Sequence, residues 1–310
     1  MQNIMELSQM LFNKFTNFVV ETYWLNADLL LASFLLSCSM ALSVMIVEIY
    51  YVGFKGSSLR RIMLDRSRST VVDLVYFVLH ASSLVTLFAI LVSFGIPQSI
   101  STIVKSFFTF NLGVEMNIYL RLIIFLLLVD FMNYWQHRLM HKISPLWEIH
   151  KFHHSAEEFN VLTVFREHPL DKALNSIFMI IPGVLLANPV GEFALFITIY
   201  GVIGYVKHSQ IPWHGMIGKY IIQSPRDHWI HHSKLKEHHD KNFGNNFAIW
   251  DHIFGTYYHG SNDRPEIGLN ETNYNQINPI SSILEVQKSF LKESFNLIRF
   301  KRNHLDKLDL

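Results

Sequence analysis

A single cysteine, Cys38, occurs in the 310 residues, so an intrachain disulfide and a thiolate metal cluster are both excluded. It sits in an apolar run and reads as a small packing residue. Charge is scarce as well. Charged residues make up 16% of the chain and the net charge is +1, which gives no general attraction to nucleic acid, and no basic stripe interleaved with aromatics is present. Tandem repeats and low-complexity tracts are missing. So is a charged leader followed by a short apolar stretch and a small-residue cleavage site, and the first apolar helix is expected to direct insertion itself. What fills the chain is apolar: half of its residues are hydrophobic and the mean hydropathy is +0.22. The length suffices for one large or two ordinary domains, and the composition points to a polytopic membrane protein.

Leu29 to Val47 is uncharged and mostly apolar, and Leu74 to Ile96 is a second such run, interrupted only by His80. Each is long enough to cross a bilayer core of about 30 Å as a helix. A third candidate, Met116 to Trp135, carries Arg121 and Asp130. The fourth, Leu174 to Val206, is broken by Asn188-Pro-Val-Gly-Glu192, so a re-entrant or tilted hairpin fits better than two full spans. Lys55, Arg60, Arg61, Arg66 and Arg68 lie between the first two spans against Asp65 alone. The positive-inside rule then puts the 53–72 loop in the cytoplasm, the N-terminus outside and the end of the third span back in the cytoplasm. The expected fold is an all-α integral membrane protein with about three full transmembrane helices, a broken hairpin and a cytoplasmic helical cap. It divides into an N-terminal region, 1–72, a catalytic region, 73–260, and a tail, 261–310. In the tail Ile283, Leu284, Phe290, Leu291, Phe295 and Ile298 recur near helical spacing, as on a helix lying against the protein or the membrane interface.

Against this background the histidines stand out. They form three clusters, His137-Arg-Leu-Met-His141, His150-Lys-Phe-His-His154 and His228-Trp-Ile-His-His232. Spacings of three and four residues put the imidazoles of one cluster on one helical face, about 5–6 Å apart, where neighbouring turns can hold a metal between them. A zinc site is usually complete with four ligands, so eight imidazoles ask for two ions; an all-nitrogen site suits iron, zinc or copper without selecting among them. Asp130, seven residues before His137 on the same face, is placed to accept the free ring N–H of a ligand histidine and fix its tautomer.

Six segments carry a family resemblance over roughly residues 70–280: Asp130–His141, His150–Glu157, Phe165-Arg-Glu-His-Pro169, Ser224–His232, Asp240-Lys-Asn-Phe-Gly244 and Trp250–Thr256. The chain resembles the fatty acid hydroxylase/sterol desaturase superfamily of membrane di-iron oxygenases, in its bacterial sterol desaturase-like branch near the alkylglycerol monooxygenases. That likeness implies that His137, His141, His150, His153, His154, His228, His231 and His232 are iron ligands, with His208 a ninth. Outer partners of the ligands are expected among Asp130, His168, His239 and Asp251, with His238 beside them. His214 and His259 match no family feature, and His252 departs from the pattern at a place where relatives carry arginine. The Asn270-Glu-Thr272 glycosylation triplet should be silent if its side is cytoplasmic.

The resemblance further implies a lipid monooxygenase holding two Fe ions, for which zinc may substitute in a preparation, and using O₂ to hydroxylate a C–H bond of a sterol, fatty acyl or alkylglycerol lipid. No fused electron-transfer domain is visible, so electrons are expected from a b-type cytochrome, a ferredoxin or a tetrahydrobiopterin system. Two alternatives stay open: a desaturase with the same site, and a non-catalytic zinc-binding membrane protein. The topology is directly testable. A reporter fused after His232 should read cytoplasmic and one near Ser101 external; the opposite pattern puts the histidines outside, away from cytoplasmic reductants.

Overall fold

The computed structural model describes residues 27–108, 116–186, 200–260, 264–270 and 273–305, together with Gln9 and Asn13. Helices and loops build all of it, and the described residues contain no β-strand, only two isolated bridges. The helices are α1 (Ala27–Gly56), α2 (Arg68–Ala81), α3 (Leu84–Val92), α4 (Ile96–Phe107), α5 (Ile118–Lys142), α6 (Ser144–His154), α7 (Pro169–Phe178), α8 (Ile180–Leu186), α9 (200–207), α10 (Gly215–Tyr220), α11 (Pro225–His231), α12 (Ile249–Ile253) and α13 (Pro279–Leu305).

Among the described residues three stretches are long and apolar enough to cross a membrane: Leu30–Gly56, Ile118–Lys142 and Pro169–Leu186. The first shows an outward apolar surface, with Leu31, Leu35, Leu42 and Ile46 exposed, as a lipid-facing helix does. The third differs from expectation. His168 caps α7 by accepting from the Leu170 N–H, and Pro169 occupies the first turn, so the helix starts five residues before Leu174 and gains the length the sequence reading denied it. The break at 188–192 lies outside the described residues, as do Glu271 and Thr272 of the glycosylation triplet.

The expected continuous span over 74–96 is corrected. α2 and α3 meet at 87° across Ser82 and Ser83, so this run is a broken span or a re-entrant pair. Its cause is local: Ser83 adopts φ 60, and the Ser82 hydroxyl donates to Val78 O at 2.6 Å, competing with continued helix. The bend carries α3 onto α7.

Polar anchors fasten the spans to the cap. Glu48, fully buried on α1, accepts from the Ser58 N–H at 2.6 Å, the Ser58 hydroxyl at 2.9 Å and the Gln210 N–H at 2.5 Å. Around it Val44, Met45, Phe77, Leu162, Tyr205 and Ile211 form an apolar cluster joining α1, α2, α9 and the 161–165 turn. Deeper lies Arg166, whose guanidinium is wholly buried. It donates to Asp73 Oδ1 at 2.6 Å, Ser155 Oγ at 3.2 Å, Asn275 Oδ1 at 2.8 Å, Ser69 O at 2.6 Å and Ser69 Oγ at 2.9 Å. One side chain thereby ties α2, the end of α6 and the approach to α13. α13 buries Ile283 and Val286 against Tyr76 and Phe152 while Leu284, Leu291, Phe295 and Ile298 stay exposed, so one face packs and the other is free for an interface.

Arg166→Met should be severely destabilising. It strands the Asp73 carboxylate in a site with no water, a loss of about 3–5 kcal/mol for a broken buried pair. Thermal unfolding in detergent would show it, and a melting point within a degree of wild type would contradict this account.

Candidate metal centre

Four elements converge on one point. The C-terminal turns of α5 supply His137 and His141, and α6 follows after Ile143, with Pro145 opening its first turn. Three histidines of α6, His150, His153 and His154, face the same point. α9 delivers His208 one residue past its end. α11, capped by Ser224 and opened by Pro225, carries His228 and His231, and His232 follows as its C-cap. Pro145 and Pro225, each in a first turn, fix where the two short helices begin and so where their rings fall.

The nine rings divide into two groups, His137, His141, His150, His154 and His231 in one and His153, His208, His228 and His232 in the other. Within each group one ring nitrogen per residue lies within 4.8 Å of all the others. Neighbouring residues therefore part company: His153 and His154 belong to different groups, as do His231 and His232.

The outer nitrogens are held by oxygen. His137 Nδ1 meets Phe243 O at 2.8 Å, His153 Nδ1 meets Arg166 O at 3.2 Å, His208 Nδ1 meets Gly204 O at 2.8 Å and His231 Nδ1 meets Lys241 O at 2.7 Å. A carbonyl only accepts, so each of these Nδ1 atoms carries the proton and each Nε2 presents a lone pair. Bare Nε2 atoms then face one another: those of His153 and His208 are 3.5 Å apart. Six ring nitrogens, on His137, His150, His228, His231 and both sides of His232, are buried with no hydrogen-bond partner. An unmet buried polar atom costs about 1–3 kcal/mol, and a cation between the rings removes that cost. Burial, with neighbouring imidazoles adding, drives His154, His228 and His232 well below the usual histidine range, and His208 and His231 to about 3. Neutral imidazoles in this arrangement fit divalent metal.

Two cavities flank the rings. One of about 390 Å³ touches His137, His150, His153, His208 and His228, and its walls continue along α5, α7 and α9. The other, about 320 Å³, touches the remaining four, with Trp147 and His239 at its side. Gly201 opens onto the larger cavity, where an added Cβ would meet nothing within 4 Å.

The expected outer partners are placed differently. Asp130 touches no histidine. Its carboxylate accepts from Tyr200 OH at 2.7 Å, the Asn246 and Phe247 N–H groups at 3.0 and 3.1 Å and Trp250 Nε1 at 2.9 Å, because two helical turns along one face put it about 10 Å from His137. His168 spends both ring nitrogens on α7 and α13, bonding Leu170 N–H and Ile283 O, and is likewise remote from the metal-facing atoms. His239 borders the smaller cavity without joining either group. Asp251 acts at one remove: it accepts from the Phe243 and Gly244 N–H groups at 2.7 and 2.8 Å, fixing the loop whose Phe243 carbonyl holds His137. Gly244 is required there, since a Cβ would sit 2.6 Å from Phe247 O and 2.8 Å from Asp251 Oδ2.

The carboxylate that does approach a clustered histidine is Asp171, 3.5 Å from His150 Nδ1 and held by Gln136 Nε2 at 3.0 Å. Its place three residues after His168, beside the Phe165–Pro169 segment, was the available clue. The other histidines lie elsewhere: His214 meets Ser224, His238 packs edge to face with Tyr258, His252 meets Lys219 O and His259 packs against Tyr257.

Residues 122–256, which hold all nine rings, match the fatty acid hydroxylase family model. This stretch is similar to fatty acid hydroxylase domains. Its relatives include an alkylglycerol monooxygenase of Caenorhabditis elegans, 32% identical over 152 residues, covering 48% of this chain and 30% of that protein. An ornithine lipid hydroxylase of Rhizobium tropici is 32% identical over 133 residues, covering 43% and 40%. A Delta(7)-sterol 5(6)-desaturase of Gibberella zeae is 29% identical over 140 residues, covering 43% and 36%. The chain thus spans less than half the length of these relatives, and no solved structure matches it.

His208 gives the sharpest test of the grouping. His208→Ala should lower metal content as far as His153→Ala does, because losing one of four imidazoles opens a position to water and loosens the ion. His259→Ala should leave it unchanged. Full occupancy in His208→Ala, measured by elemental analysis of anaerobically purified protein, would remove it from the ligand set.

Proposed function

We propose that the chain is a membrane-bound di-iron monooxygenase that hydroxylates a C–H bond of a lipid, drawing electrons from a separate donor. The observation that carries this reading is the pair of imidazole groups, four and five rings, in which six buried ring nitrogens have no hydrogen-bond partner. Nine nitrogen ligands exceed what one closed four-coordinate zinc site uses. The chain's likeness to an alkylglycerol monooxygenase, an ornithine lipid hydroxylase and a sterol desaturase supports a lipid oxygenase reading.

In this reading His137, His141, His150, His154 and His231 hold one ion and His153, His208, His228 and His232 the other. Bound iron supplies the redox capacity to reduce O₂ and oxidise a C–H bond. The chain supplies the rest. Backbone carbonyls of Phe243, Arg166, Gly204 and Lys241, together with Asp171, hold the rings in register, and Asp251 and Arg166 hold the loops that bear those carbonyls. Burial keeps bulk water from the centre. The larger cavity receives the reacting part of the lipid beside five of the rings, and the smaller leaves the other four open to the cap side. The basic 53–72 loop supports a cytoplasmic site, and the donor would be a b-type cytochrome, a ferredoxin or a pterin such as tetrahydrobiopterin.

Anaerobically purified, iron-loaded protein should contain two metal ions per chain and, with O₂ and a reductant, convert a component of a membrane-lipid extract to a product heavier by one oxygen atom. A product lighter by two hydrogens instead identifies a desaturase. One ion per chain, or two ions with no lipid oxidised in any extract, would overturn the reading; the latter is the behaviour of a zinc scaffold, since zinc has no redox chemistry.

A further inference from the structure

The larger cavity is polar for a chamber meant for hydrocarbon, and its polar groups fall into two sets. One set is closed on itself. Asn175 Nδ2 donates to Asn133 Oδ1 and Gln136 Oε1, Gln136 Nε2 donates to Asp171, and Asn133 and Asn245 both donate to Tyr200 OH. Lys207 Nζ is likewise satisfied by Asn245, at 3.0 Å to its carbonyl and 2.8 Å to its side-chain oxygen.

The other set is open. His80, the one interruption of the second apolar run, lines the same cavity with Glu167 and Lys172. His80 Nε2 is buried without a hydrogen-bond partner, its nearest charged neighbour being Glu167 Oε2 at 4.0 Å. Neither the Glu167 carboxylate nor the Lys172 ammonium makes a hydrogen bond among the described residues. The Glu167 side chain is 40% exposed although protein surrounds it, because that exposure opens onto the cavity. Burial, with Asp171 adding, pushes its carboxyl up to about 7, as befits a carboxyl that protein donors leave bare. The buried side chains of Glu48, Asp73, Asp130, Arg166, Lys207 and Asp251, by contrast, are each hydrogen-bonded to protein. Apart from the clustered histidines, unmet hydrogen-bonding capacity in the cavity wall gathers, among the described residues, at these three adjacent groups.

We propose that His80, Glu167 and Lys172 recognise a polar headgroup, so that the lipid is bound, and oxidised, beside a group bearing hydroxyl or ammonium donors rather than within a bare hydrocarbon chain. Glu167 accepts from the donor, and Lys172 donates to an oxygen of the same headgroup. A hydrocarbon segment placed there would leave all three groups desolvated and unpaired, which selects against it. The site of oxidation rests on the lipid oxygenase reading; the binding preference does not.

The test measures binding to the zinc-loaded full chain in detergent micelles, by retention of radiolabelled lipid at equilibrium. Three probes of equal chain length separate the sources: a 1-O-alkylglycerol carrying hydroxyls, an alkyl ester of an amino acid carrying an ammonium, and an alkyl methyl ether carrying neither. At least one of the first two should bind about tenfold or more tighter than the ether, and whichever does so names the donor. Glu167→Leu and Lys172→Met should each erase that preference while leaving ether binding and zinc content at wild-type levels. Equal binding of all three probes to the wild-type chain would overturn the proposal without recourse to any variant, and so would a preference that survives both substitutions. Headgroup preference in the zinc form combined with no oxidation by the iron form would instead leave this wall standing and sink the oxygenase reading.

Discussion

The Arg166 guanidinium is the constraint on which the rest of the structure depends. A planar cation with five donors has been placed where water cannot reach, and all five are met, by Asp73 and Ser69 on α2, by Ser155 at the end of α6 and by Asn275 before α13. Such a charge is tolerable only if its partners arrive together. Arg166 is also the residue whose carbonyl holds His153, so satisfying its side chain sets the position of its main chain and, through that, of one metal-facing ring. Asp73 is shared in turn, accepting from Asn160 Nδ2 and Thr163 Oγ1 at 2.7 Å each, which stiffens the turn leading to Arg166. Membrane-associated helix and metal centre are thereby joined by hydrogen bonds rather than by apolar packing alone.

The same economy governs the remaining rings. The histidines are oriented chiefly by backbone carbonyls, not by a set of carboxylates. A carbonyl adds no formal charge, so the rings are oriented without an excess of buried anions beside them; Asp171 approaches His150, and Asp251 and Asp130 serve the loops. Asp251 folds the 243–244 segment around its two oxygens and Asp130 does the same for 246–250. These two anions thus act on geometry: Asp251 reaches the rings through the Phe243 carbonyl that holds His137.

What the sequence made legible follows from which features are periodic. Histidines at three- and four-residue spacings announce a shared face, and the eight clustered ones, with His208 from the family likeness, are the nine that the fold gathers. Apolar length gave α1 and α5. Asp130 shows the limit of the method: periodicity states the face of a helix but not which residue from a distant loop will cover it, and the Asn246–Trp250 segment covered Asp130 first. Asp171 was hidden because its relation to His150 crosses from one helix to another. The bend between α2 and α3 was hidden too, since two serines in an apolar run change its hydropathy little while one of them takes a left-handed conformation. Arg166 and Glu167 were printed side by side in a recognised segment, yet nothing in the spelling says that one side chain is saturated and the other left bare.

The alternation of adjacent histidines between the two groups has a mechanical consequence. His153 and His154, and again His231 and His232, straddle the gap between the two groups of rings, so that gap is bridged twice by a single peptide link whose ends lie about 3.8 Å apart. Helices can tilt or slide, but a covalent step of that size does not stretch. The two groups are consequently yoked: α6 and α11 can change their mutual angle only by moving both groups in concert, and the spacing between the groups is tied to covalent geometry as well as to the softer forces of packing.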